Sequence, residues 1–414
     1  MRNLTVFMVF VTIIACSSSP GEGDYSFRVF EEDGITVAET LNGPRYSEEL
    51  FLYEEIATLH EDEREDSYLV RPGNAMLGES GLIFVSDGYT NTSRIAVFNM
   101  EGVYQYSIGR GGQGPGEFRL PRLVSVEGGI VQCSDPSLNR LSRFNTDGSL
   151  IDTHPIPAGD EDFRTIHSQW IGDDRLFLFS NRSSSPNDRE VFQQQAVVME
   201  ADGDTIWSHS TDSVRGGRQV VVEVEGATIY ASAPRNLSGR PRIIHSSFHG
   251  ILFTTGERPE IDIFDIEGVH RKRIRIDLPF EAVTAEDRRE SMASLMELRD
   301  NAPSGNKAVY SAMIDHAEFP EEKAYWTGLS VEESGYIWIF IPTFRDAAGD
   351  PADGRICWIL SPEGEYLGTT RTPPGSVAIS RGHLISTRSD PDTGADIITV
   401  FRIRSALNQL KYPD

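Results

Sequence analysis

The sequence predicts an all-β fold, a six-bladed β-propeller with a helical insertion between blades four and five. Three observations carry that prediction. A short β-type run followed by a second recurs six times: LIFVSD (82–87) with RIAVFNMEG (94–102), IVQCSD (130–135) with RLSRFNTDG (140–148), LFLFSN (176–181) with QAVVMEADG (195–203), ILFTTG (251–256) with EIDIFDIEG (260–268), YIWIFI (336–341) with ICWILSPEG (356–364), and HLISTR (383–388) with DIITVFRI (396–403). A period of about 45–50 residues, stretched by insertions, marks stacked supersecondary units, and β-units of that size are propeller blades. Next, these runs are apolar at consecutive as well as alternate positions, as strands covered on both faces should be. Finally, five of the second runs end in an acidic residue followed by glycine, the chemistry of a tight turn.

A blade has four antiparallel strands, A innermost to D outermost, and the quoted runs fit B and C. Strand A is expected at 74–77, 123–126, 168–171, 244–248, 329–332 and 376–379. No D strand follows DIITVFRI, so the N-terminal run 35–40 or 50–59 is expected to supply it and close the ring. Insertions accumulate in B–C loops and D–A connections, which open on one face. RQVVVEVEGATIYASA (218–233) reads as an extra hairpin turning at Glu225-Gly226. The connection into blade five (284–317) reads as two helices. The first is capped by Thr284 with Asp287 and carries Met292, Leu295, Met296 and Arg299 on one face; the second spans about 306–316, with Val309 and Met313 together. Functional residues on rigid scaffolds concentrate in such loops, which makes this elaborated face the expected binding face.

The chain of 414 residues carries a net charge of −25, which argues against nucleic-acid or anionic-membrane binding. Arg2 and the apolar stretch from Leu4 to Ile14, too short to span a bilayer, precede Ile13-Ile14-Ala15-Cys16. That segment resembles a bacterial lipobox, which implies cleavage before Cys16 and lipid attachment to it. Residues 1–15 are then a signal peptide and 16–34 a tether, with 35–414 as the propeller. Ser17, in place of Asp, favours the outer membrane. Cys133 and Cys357 fall in blades two and five, too far apart for a bridge that needs Cα atoms within about 7 Å, so both are expected free and buried.

The segment 80–121 ends in GRGGQGPGEF (109–118). A phosphate loop would lead into a helix; this one leads to Phe118, Pro121 and a β-run, so it reads as the D–A crossover from blade one to blade two. With its buried strand, Asp, second strand, acidic-Gly turn and Gly-Arg-x-Gly-x-Gly-Pro-Gly-Glu-Phe, the segment resembles the NHL-type six-bladed propeller repeats of bacterial lipoproteins. The resemblance is close in blade one and covers about half the chain. It implies the fold and leaves function open, because propellers serve as enzymes, sensors and scaffolds.

Metal chemistry in the channel would need converging histidines or carboxylates. Of nine histidines, His167 and His245 are expected near the top of strand A in blades three and four, and they do not complete a zinc site. Asp346, Asp350 and Asp353, and Asp390, Asp392 and Asp396, crowd two B–C loops without calcium-loop spacing and read as turn residues. No nucleophile motif is present, and no metal or other cofactor is expected. A cationic group stands out instead: Arg215, Arg218, Arg235, Arg240 and Arg242 lie together in sequence against Glu223 and Glu225, and Arg71 and Arg122 precede or start strand A in blades one and two. Guanidinium forks match carboxylate, sulfate and phosphate. The expected function is a monomeric, lipid-anchored envelope propeller that binds an acidic ligand or an envelope protein, with Arg71, Arg122, His167, Arg235, Arg240, Arg242 and His245 as site residues. A propeller hydrolase or lyase working through His167 and His245 at the channel mouth is the alternative, and a structural scaffold the third.

Overall fold

The computed structural model describes residues 25–59, 67–88, 90–156, 163–172, 174–183, 191–214, 219–224, 226–342, 354–390 and 393–412. Six four-stranded antiparallel blades follow one another. Blade one is Ala75–Leu77, Ile83–Asp87, Arg94–Phe98 and Tyr104–Ile108; blade two is Arg122–Glu127, Ile130–Asp135, Arg140–Asn145 and Leu150–Pro155. Blade three is Phe163–Ile171, Arg175–Ser183, Val191–Glu200 and Thr205–Val214; blade four is Arg242–Ser246, Gly250–Thr254, Glu260–Phe264 and His270–Ile276. Blade five is Gly328–Val331, Ile337–Phe340, Ile356–Leu360 and Tyr366–Arg371. Blade six takes Ser376–Ser380, His383–Ser389 and Asp396–Ser405 from the C-terminal end and Phe51–Thr58 from the N-terminal end. The glycines of the five acidic-Gly turns, at 102, 148, 203, 268 and 364, all have positive φ, which explains why the turn between strands C and D keeps glycine there.

One apolar cluster fills each seam between neighbouring blades, which is why the strands are apolar on both faces. The blade four–five seam is the broadest, with Ile261, Ile263, Trp326, Ile337 and Leu360 among its buried members. Trp326 is fully buried and donates its indole N–H to Thr254 Oγ1 at 3.0 Å, so its area is removed from water without orphaning a polar group. Burial of such a side chain contributes about 2–3 kcal/mol. The blade three–four seam is narrower and is completed by half-buried rings: Trp207 and His209 from blade three stack at 5.9 Å and lean on Phe253 and Phe264 of blade four.

Of the two N-terminal runs, Phe51–Thr58 closes the ring by pairing antiparallel with Asp396–Ser405. The other takes a different role. Ile35–Leu41 pairs parallel with the outermost strand of blade four and antiparallel with Ser26–Glu32, so that blade carries six strands. Charge complementarity holds it: Arg275 of blade four is within 2.9 Å of Glu32 and 3.3 Å of Glu39. Strand A of blade four starts at Arg242 and stops at Ser246, two residues earlier than the sequence suggests, because Ser246 Oγ accepts from the Phe248 and His249 amides and turns the chain at Gly250.

The insertions take their expected forms. A hairpin, Gln219–Val224 with Ala227–Ser232, precedes blade four. Helix α1 (Ala285–Asn301) starts in a capping box between Thr284 and Asp287, and helix α2 (Ser304–Asp315) packs against the hairpin. Met292 is the buried anchor of α1. No helix among the described residues is long and apolar enough to cross a membrane. Cys133 and Cys357 are free and buried, and burial pushes the Cys133 thiol up strongly and the Cys357 thiol up to about 12, so both stay protonated and unreactive. Cys16 lies outside the described residues.

Candidate ligand-binding mouth of the channel

The start of each strand A lies on the face where B–C loops and D–A connections open, and a recurring aspartate positions it in the first two blades. Asp87, last residue of strand B in blade one, is buried and accepts the backbone amides of Val70 and Arg71 at 2.8 and 2.9 Å. Asp135 does the same in blade two for Arg119 and Leu120, at 2.6 and 3.1 Å. The repeated Asp therefore clips the incoming chain to its blade. In blades four to six the corresponding runs end instead in Gly256, Ile341 and Arg388, and the connections entering blades four and five are the ones that carry the hairpin and the helices.

Arg122 and Arg242 are the first residues of strand A in blades two and four, and each reaches sideways to the next blade. Arg122 Nη1 donates to the Ile166 carbonyl at 3.2 Å, and Arg242 Nε to the Thr327 carbonyl at 3.2 Å. Carbonyls orient these guanidiniums without neutralising them. Burial pushes the half-buried Arg242 guanidinium down from its ordinary value, and the neighbouring charge of Arg240 adds to that push. Among the described residues no carboxylate pairs with Arg122, Arg240 or Arg242. Arg235, earlier in the same connection, turns its Nε to Ser238 Oγ at 3.1 Å. Arg71 enters blade one with its backbone clipped by Asp87. Arg215 and Arg218 lie outside the described residues.

The histidines are not where the sequence suggests. His167 pairs with Phe179 in the middle of its strand, and His245 pairs with Ile251, one residue from the A–B turn, so neither stands at the mouth. The long strand A of blade three, with a bulge between Thr165 and His167, sets this level. The two do come together: Phe177 lies between them, its ring 6.3 Å from His167 and 6.1 Å from His245. Burial pushes His167 down, with Arg122 adding and a hydrogen bond to Gln169 opposing. Burial, helped by His167, pushes His245 down to about 4, and its buried Nδ1 has no partner. Both are neutral at pH 7, and among the described residues no metal-ligating cluster includes either.

The opposite end of the channel is occupied by the protein's own side chains. Glu333 of blade five accepts from Ser380 Oγ at 2.8 Å and from the Arg381 amide at 3.0 Å in blade six. Arg381 Nη2 reaches Glu79 of blade one at 3.1 Å, and Glu79 also accepts the Gly128 amide of blade two at 3.2 Å. Glu127 meets Ser247 of blade four at 3.4 Å. Burial pushes Glu127 up, Glu333 and Glu79 add to it, and Arg381 and Ser247 oppose. This floor links the A–B turns of five blades, at the end of the channel opposite the elaborated face. Sequence reading missed it because its members are isolated charges in separate turns; the signal was a Glu or Arg recurring at the A–B turn.

The glycine-rich loop behaves as a crossover. Arg110–Gly111 pairs parallel with Glu117–Phe118, and the Glu117 carboxylate accepts the Gln113 and Gly114 amides at 2.9 and 2.8 Å. Those amides could have held a phosphate; the loop supplies its own anion. Asp346, Asp350, Asp353 and Asp392 lie outside the described residues, while Asp390 accepts the Thr393 amide at 2.9 Å as a turn residue. Among the described residues no three His, Cys, Asp or Glu side chains gather as a metal site.

A family model described as a 6-bladed β-propeller, DUF5128, matches residues 63–221. No curated protein matches the chain. Solved structures similar to it include an exported protein from Bacteroides fragilis (12% identity, 89% of this chain and 99% of that one, TM-score 0.49). A DUF4221 family member from Bacteroides vulgatus has 12% identity over 87% of this chain and all of its own, with a TM-score of 0.47. Virginiamycin B lyase from Staphylococcus aureus, bound to quinupristin, has 11% identity over 85% of this chain and 99% of its own, with a TM-score of 0.36.

Proposed function

We propose that this protein is an exported, lipid-anchored six-bladed propeller of the NHL type that binds an anionic ligand at the mouth of its channel. The observation that carries the reading is Arg242, half-buried at the start of a strand beside Arg240, with no carboxylate partner among the described residues of a chain whose net charge is −25. A buried charge without a counter-ion costs several kcal/mol, so its persistence amid many available carboxylates points to a partner that arrives from solution. Carboxylate, sulfate and phosphate groups all fit a guanidinium fork, and acidic glycans and acidic peptides carry them. Arg122, also carbonyl-oriented and uncompensated, extends the cationic rim toward blade two. Export and anchoring rest on Arg2, the apolar stretch ending at Ile14, and Cys16.

The test is calorimetric titration of uronate and sulfated oligosaccharides and of an oligoglutamate peptide, at low and high salt. The double variant Arg240→Gln/Arg242→Gln should weaken the best ligand at least about tenfold. An unchanged affinity, or no preference for acidic over neutral probes, overturns the reading. Anchoring is tested separately: Cys16→Ser should move the protein from the membrane to the soluble fraction and abolish labelling by a fatty-acid probe.

A further inference from the structure

A second cavity lies away from the channel, where the N-terminal hairpin meets the outer edge of blade four. It has a volume of about 290 Å³, with Glu39 and Leu41 from the hairpin, Glu260, Arg275 and Asp277 from blade four and its exit, and Leu278, Phe280 and Tyr325 from the segments flanking the helices. Two features of its wall need an explanation. Phe280 is 60% exposed, and its ring stands 5.7 Å from that of Tyr325 at 57°; Tyr325 is buried, so Phe280 supplies the open ring face of this aromatic corner and Tyr325 backs it. The Tyr325 hydroxyl is anchored to the Leu278 carbonyl at 3.2 Å, which fixes one side of that corner.

The charge beside the corner is negative. Arg275 spends its guanidinium on three carboxylates, Nη2 on Glu32 at 2.9 Å, Nη1 on Glu39 at 3.3 Å and Nε on Glu260 at 3.2 Å. Glu39 is shared with Arg28, whose Nε donates to it at 2.6 Å. Arg28 and Arg275 are thus shared among Glu32, Glu39 and Glu260, the last also reached by Arg273 at 4.0 Å, and the Asp277 carboxylate has no partner among the described residues. Glu322 adds negative potential at the Tyr325 ring, as does Glu281, which shares Lys323 with Asp287 at 3.4 and 2.9 Å. An exposed aromatic ring in a cavity of net negative charge attracts a cation through both the ring face and the carboxylates, and a cation with an apolar shell gains most, since it sheds water at little cost.

We propose that this cavity is a binding site for an alkylammonium group, held against the Phe280 ring, which Tyr325 backs, with Asp277 as counter-ion. The site is separate from the channel mouth and selects the opposite charge, so its fate does not depend on the anionic-ligand reading. Two sources present this chemistry, a free quaternary amine and a lysine side chain of a peptide, and both are probed. The experiment is ligand-observed NMR titration of the protein with choline and with N-acetyl-lysine amide. Their uncharged counterparts of similar shape, 3,3-dimethylbutan-1-ol and N-acetyl-norleucine amide, serve as controls. Both ammonium probes should bind and the uncharged ones should not; the tighter of the two identifies the source. Phe280→Leu keeps the apolar volume and removes the ring face, and should weaken binding about 3- to 30-fold. Asp277→Asn should weaken it as well, whereas Arg240→Gln/Arg242→Gln should leave it unchanged. Equal binding of charged and uncharged probes, no binding of either ammonium, or an affinity untouched by Phe280→Leu overturns the proposal; since Phe280 and Asp277 are exposed, the variants fold.

Discussion

The two ends of the channel are built from the same residue types with opposite accounting. At the floor, Arg381 sits among Glu79, Glu127 and Glu333, and each of these carboxylates also accepts from a hydroxyl or amide of another blade. At the mouth, Arg122 and Arg242 are held in place by carbonyls and left without counter-ions among the described residues. A charge that is neutralised inside the protein serves stability; one that is oriented but not neutralised is available to something else. Counting arginines therefore locates neither end. What matters is what each guanidinium touches.

Four expected outcomes sharpen that contrast, ordered by their effect on stability. On the floor face, buried Glu332 accepts the Gly382 amide, the Ser334 hydroxyl at 3.1 Å and the Tyr412 hydroxyl, tying blade five to blade six and to the C-terminal segment. Glu332→Ala leaves buried donors unpaired and should cost about 2–3 kcal/mol in denaturant unfolding. His245 gives the next effect. Its pKa is lowered from 6.5 to about 4 in the fold, so the folded state binds fewer protons than the unfolded one between those values. Its contribution is complete above pH 6.5 and falls as pH drops through that window, reaching a loss on the order of 2 kcal/mol by pH 5. His245→Gln should flatten the stability–pH profile by that amount; an unchanged slope would mean that His245 is solvated.

The third outcome concerns Arg381→Gln, which removes the cation of the floor. Because Glu79 is half exposed, the cost is discounted to about 1–2 kcal/mol, with Glu127 titrating at higher pH. The smallest effect on stability belongs to the mouth. Arg240→Gln/Arg242→Gln should change unfolding free energy by less than about 0.5 kcal/mol or raise it, because a repelling, half-buried pair of charges is being removed. If the mouth arginines prove as costly to remove as Arg381, the contrast between the two ends fails, and they are structural.

Much of the fold was legible because each blade repeats its local chemistry. The strand B runs, the acidic-Gly turns and the Thr284 capping box all follow from short-range preferences that tertiary packing reinforces. The distance argument for Cys133 and Cys357 also held, since blade number alone separates them. The site was legible only in part. The sequence grouped five arginines by proximity along the chain and added Arg71 and Arg122 from blades one and two; Arg122 and Arg242 do start strand A of their blades, but Arg235 turns to Ser238 instead. His167 and His245 were placed at the wrong height because a bulge and an early turn shift strand registers by amounts that periodicity does not resolve.

Blade count, strand order and the positions of the hairpin and helices can be read along the chain, because they depend on periodicity, turn chemistry and capping within a few residues. Tertiary structure decided which N-terminal run closes the ring, that the other adds a parallel strand to blade four, and which charges are neutralised. Those outcomes depend on contacts between residues as far apart as Glu39 and Arg275 or Glu79 and Arg381, and whether two such charges meet is fixed by ring closure rather than by anything local to either one.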